Sequence, residues 1–116
     1  MKTITKEMRD RAAQIQKIIE ELWPTVSGNK DALVFPVYED YEARAIDVRI
    51  TWRNREKNTL RGITYYVDRD AHVSRWTSSW GAVISHGETD PTPEAISEDL
   101  RWLLGEDGKQ VKREDV

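Results

Sequence analysis

The sequence predicts one α+β domain, with two helices packed on one face of an antiparallel meander of about four strands. Three observations carry this reading. The stretch from Ala43 to Asp68 alternates apolar and polar residues in two runs, and an amphipathic helical pattern lies on each side of it. A two-residue period is that of a half-buried strand, and a helix with a single apolar stripe needs a surface to cover.

The first helix is expected from about Thr5 to Trp23, where Ile4, Met8, Ile15, Ile18, Ile19 and Leu22 recur at three- and four-residue steps. Thr3 or Thr5 can cap its start, Glu7 suits the first turn, and Pro24 is expected to end it by disfavouring helical geometry at Trp23. The stripe is read as a core face, since it is too short for a sustained coiled coil. After a loop, TVSGNKD, the segment Ala32 to Tyr38 reads as a short first strand that Pro36 confines to a sheet edge. Glu39, Asp40, Tyr41 and Glu42 read as a solvated acidic turn. A calcium loop would need alternating oxygen ligands and a glycine that are missing there.

In the central hairpin Ile46, Val48, Ile50 and Trp52 oppose Asp47, Arg49, Thr51 and Arg53, and Ile63, Tyr65 and Val67 oppose Gly62, Thr64 and Tyr66. The polar run Asn54 to Asn58 is the turn between them. One face is dry, and the wet face carries Arg49, Thr51, Arg53, Thr64 and Tyr66. Arg69-Asp70 makes the next turn, and His72 to Thr77 alternates as a third strand with His72, Ser74 and Trp76 against Val73, Arg75 and Thr77. Trp80 to Ser85 is a further strand or the end of a bent one, so the sheet has four or five strands. Asp90-Pro91-Thr92-Pro93 opens the closing helix with Thr92 as cap, and Ile96, Leu100, Leu103 and Leu104 form its stripe up to Gly105. The domain therefore spans 1–105. Residues 106–116 form a charged tail in which only Val111 and Val116 are apolar.

Composition excludes several function classes. With no cysteine there is no disulfide, no thiolate chemistry and no cysteine zinc site. A net charge of -3 gives no global attraction to polyanions, so nucleic acid would need a local patch. The N-terminus lacks the apolar run of a signal peptide, and no stretch reaches the roughly 20 apolar residues that span a bilayer. A cytoplasmic protein with no membrane association is the expectation.

Chemistry-bearing constellations are sparse. Asp68-x-Asp70-x-His72 and His86-x-Glu88-x-Asp90 each resemble half a metal site, but neither has the spacing of a metal motif, and both read as surface histidines beside turn carboxylates. The six glycines are scattered and form no phosphate loop, and Ser78, Ser79 and Ser85 lack a nucleophile elbow. No catalytic residue, metal or cofactor is assigned, and the chain is expected not to be an enzyme. The order helix, sheet, helix is similar to that of double-stranded RNA-binding domains, yet 92–95 is TPEA, acidic where phosphate contacts need lysines.

What stands out is the arginine and aromatic content of the sheet region. Arginine and tryptophan are enriched at binding hot spots, while Trp52, Tyr65 and Trp76 are equally readable as core. The expected binding residues are Arg49, Arg53, Tyr66, Arg75 and Trp80, with Trp80 the aromatic most expected to be exposed. The expected function is a protein-binding module, such as a small inhibitor, immunity or phage-encoded adaptor protein, whose partner is acidic or amphipathic at the contact. Single-stranded nucleic acid, stacked on the same face, is the alternative.

Overall fold

The computed structural model describes residues 3–34 and 36–105. In chain order the elements are α1 (Lys6–Ser27), β1 (Leu33–Val34), β2 (Tyr38–Asp40), β3 (Ala45–Asn54), β4 (Thr59–Val67), β5 (Val73–Ser79), β6 (Ala82–Glu88) and α2 (Pro93–Leu103). The protein is α+β, with both helices on one side of an antiparallel meander. The charged segment 106–116 lies outside the described residues.

The sheet order is β1-β3-β4-β5-β6, and β2 also pairs with β3. β1 and β2 are two pieces of the one strand expected over Ala32 to Tyr38. Pro36, between them, has no N–H to give the ladder, so the edge strand breaks there. The meander thus has five places filled by six strands. Glu39 and Asp40 belong to β2 rather than to a turn, and the turn is 41–44, where Arg44 takes a φ of 58°.

α1 starts as the sequence implied. Thr5 caps it, its side chain accepting from the Met8 N–H. It does not end at Trp23. The helix runs through Pro24 to Ser27 and closes at Gly28, whose N–H bonds the Pro24 carbonyl from a left-handed conformation with φ 70°. A proline there removes only the bond to the carbonyl of Glu20, which is on the exposed side, and a left-handed glycine satisfies the end. The extra turn keeps Trp23 inside the helix, where its ring packs 5.8 Å from that of Trp52.

The core lies between the helices and the sheet. Met8, Ala12, Ile15 and Ile19 from α1 and Ile96, Leu100 and Leu103 from α2 are fully buried against Ile46, Val48, Ile50, Ile63, Tyr65 and Val67. Each large side chain so placed contributes about 1.5–3 kcal/mol relative to exposure. α1 packs over β3 and β4, α2 over β4, and the two helices pack on each other.

Beyond β4 the covered face turns polar. Tyr65 donates its hydroxyl to Asp99 Oδ2 at 2.5 Å, and the Arg75 guanidinium reaches Asp99 Oδ1 at 3.3 Å. All three side chains are buried. Arg75 therefore does not belong to a binding face. It pairs in register with Tyr65, under α2, and its role is to neutralise a buried carboxylate. Thr77 and Ser85 share a buried hydroxyl hydrogen bond one step further along.

Candidate functional site: the open face of the sheet

The period of two puts the alternate residues of β3 to β6 on the side opposite the helices. The register sets them in rows: Tyr38, Asp47, Tyr66, Ser74 and Glu88 in one, then Arg49, Thr64, Trp76 and His86, then Thr51, Gly62, Ser78 and Val83. A β-bulge after Thr77 shifts the pairing by one residue, so that Val83 faces Ser78.

The middle of this face is hollow. A depression of about 430 Å³ is lined by residues that include Arg49, Thr51, Gly62, Thr64, Trp76 and Ser78. Gly62 makes room for it. A Cβ there would stand 2.8 Å from Ser78 Oγ and 3.1 Å from the Thr51 methyl, so a side chain would force those two side chains to shift into the hollow's space.

Aromatic rings border the hollow. Tyr66 meets Trp76 edge to face at 5.5 Å, and Trp76 stacks on His86 at 4.4 Å, so three neighbouring strands contribute one continuous row. Trp76 is half-buried on the open face rather than a core residue.

Trp80 and Gly81 form the two-residue β5–β6 turn with φ values of 52° and 83°. Positive φ at both positions fits the right-handed twist of a hairpin, but it normally calls for Asn-Gly. The tryptophan side chain is 54% exposed, the backbone N–H of Trp80 donates to the Leu60 carbonyl at 2.7 Å, and the Arg53 guanidinium lies 4.7 Å from the ring centroid. Arg53 is itself held by the β3–β4 turn, donating to the carbonyls of Asn54 and Thr59 and to Asn58 Oδ1.

Of the expected binding residues, Arg49, Arg53, Tyr66 and Trp80 share this face and Arg75 does not. Sequence reasoning did not count Trp76, His86 or Gly62 among the binding residues. The alternation of 72–77 already placed Trp76 opposite Arg75, and that was the signal for putting Trp76 outside and Arg75 inside.

Charge on the face is mixed. Burial pushes the Asp47 carboxyl up, with the Arg49 charge opposing. Burial also raises the Tyr66 hydroxyl, and Asp47 adds to the shift. At the sheet edge Arg9 of α1 grips Glu39 at 2.8 and 3.0 Å, and with help from the Tyr41 hydroxyl it holds that carboxyl down at about 2. Asp68, Asp70 and His72 bring one ligand atom each to within 4.8 Å of one another in the β4–β5 loop. All three are exposed, and Asp68 Oδ1 already accepts the N–H groups of Asp70 and His72, which braces the turn. His86 stacks on Trp76.

Among the described residues no helix is long and apolar enough to cross a membrane. No protein-family model, curated protein or solved structure matches the chain.

Proposed function

We propose that the chain is a non-enzymatic module that binds a protein partner on the open face of its sheet, in the manner of a small inhibitor, immunity or adaptor protein. The observation that carries this is Trp80. A bulky residue in the left-handed region costs roughly 1–2 kcal/mol relative to one that tolerates it, and the ring so placed stays in solvent. With the Arg53 guanidinium 4.7 Å from its ring centroid, it is an exposed anchor of the residue types that dominate binding energy. The arginines at 49 and 53 suit a partner that is acidic or amphipathic where it meets them.

Affinity capture from the native host, compared between wild type and an Arg53→Glu/Trp80→Ala double mutant, tests this. Loss of the main captured partner from the folded double mutant is expected. Retention of the same partners at the same level would rule the surface out.

The row Tyr66, Trp76 and His86 favours a second reading, single-stranded nucleic acid stacked on the face, at about 1–3 kcal/mol per base. Asp47 and Glu88 in the neighbouring row and the net charge of -3 count against it. Fluorescence anisotropy with a labelled oligonucleotide at low salt separates the two: no binding at tens of micromolar protein removes the second.

A further inference from the structure

Among the described residues no carboxylate lines the hollow around Gly62, although the chain as a whole is acidic. Two arginines do. The Arg61 guanidinium leads away from it, donating to the Trp102 carbonyl at 2.6 Å and standing over the Trp102 ring. Arg49 is exposed, and it is the charge that the described lining brings to the hollow. Asp47 acts on it through space from the neighbouring row, but a guanidinium has five donors and can serve a second anion. Beside Arg49 in its row stands Thr64, and Ser78 Oγ lies over the floor at Gly62. Both hydroxyls line the hollow, have no hydrogen-bond partner among the described residues and, unlike Asp47 Oδ1, are open to solvent. The far end is apolar, built from the Thr51 methyl, Leu60 and Val83. Thr64, Gly62 and Leu60 are successive positions of β4 on this face, so the change from polar to apolar runs over about 13 Å.

From this layout we infer that the hollow binds a carboxylate carried on a short apolar body. The anion sits at Arg49 and Thr64, and the body lies over Gly62 towards Leu60 and Val83. A guanidinium fork matches a carboxylate, and hydroxyl donors complete its shell. One arginine balances one negative charge, whereas a phosphate dianion calls for a cluster of cations. A cation or a metal ion has no carboxylate to meet in the described lining. A volume of about 430 Å³ falls within the range of small-molecule sites. The carboxylate comes either from a free organic acid or from the C-terminus of a peptide with an apolar last residue. The inference goes beyond the protein-partner reading and does not rest on it, since that reading is tested at Arg53 and Trp80 and this one at Arg49 and Thr64.

NMR titration of the full chain with 4-phenylbutyrate, with N-acetyl-alanyl-leucine, with the neutral 4-phenylbutyramide and with adenosine tests it. Both carboxylates should give saturable amide shifts centred on residues 49–51, 60–64, 76–78 and 83, and the amide should bind at least about tenfold more weakly. Arg49→Gln should weaken both carboxylates by about tenfold and leave the amide unchanged, while Thr64→Val, which keeps the shape and deletes the hydroxyl, should weaken them by about threefold. Tighter binding of 4-phenylbutyrate identifies a free acid and tighter binding of the dipeptide a chain terminus, and either result supports the site. If neither carboxylate saturates, if the amide binds as well as the acid, or if Arg49→Gln binds like wild type, the assignment is wrong. Adenosine saturating these residues where the acids do not would overturn it in favour of nucleic acid. Arg49 is exposed, so Arg49→Gln leaves the core intact and decides the question even if Thr64→Val disturbs the sheet.

Discussion

Asp99 accepts from both Tyr65 and Arg75 inside the covered face, so each donor answers for part of a buried negative charge. Tyr65→Phe keeps the ring and deletes one donor, and it should cost about 1.5–3 kcal/mol in urea unfolding, the range for hydrogen bonds to charged groups. The pair Arg9 and Glu39 is exposed and behaves differently. Glu39 is depressed from the ordinary 4.5 to about 2, first by the Arg9 hydrogen bonds and then by Tyr41. A carboxyl depressed in the folded state contributes stability above its unfolded value and loses it as pH falls towards the folded one. Wild type should therefore lose stability more steeply than Glu39→Gln between about pH 4.5 and pH 2. The two slopes should converge in high salt, because the pair is solvent-screened.

Among the elements, the β5–β6 hairpin combines a local misfit with an exposed anchor. Trp80 occupies a turn position suited to asparagine, followed by a glycine that meets the requirement for positive φ. Trp80→Asn should stabilise the fold by about 0.5–1 kcal/mol, the relief of left-handed strain less the lost Arg53 contact. The same substitution should weaken partner capture. Higher thermal stability with lost binding would mark Trp80 as kept for function, whereas a fall in both would make it a packing residue. β6 poses a second problem, since it ends the sheet order and exposes Val83 at 54% and Ile84 at 37%. The opposite edge is guarded by the break at Pro36 and by Glu39 and Asp40, but β6 carries no lysine or proline. Ile84→Lys should lower heat-induced aggregation measured by light scattering, with little change in the unfolding midpoint.

At the scale of the molecule, the helices cover one face of the sheet and, among the described residues, leave the other uncovered, and the candidate sites described above lie on that second face or at its rim. Much of this was legible in the sequence. The alternation of 46–53 and 62–67 assigned Arg49, Arg53 and Tyr66 to the wet side, the stripe of α1 marked Met8, Ile15 and Ile19 as buried, and Thr92-Pro93 marked the start of α2. These are local properties, since a period of two or 3.6 and a capping residue act within a few positions of one another. Tertiary structure alone decided the rest. Arg75 went inside because Asp99, 24 residues away, needs its charge, and Tyr65 found the same carboxylate across 34 residues. α1 ran through Pro24 because Gly28 could close the helix after it. Asp47 Oδ1 was buried without a donor among the described residues, and Gly62 opened a hollow only once Thr51 and Ser78 stood on either side. Such features are set by partners distant in sequence, and pattern along the chain records a residue's own period but not the group it will meet across the fold.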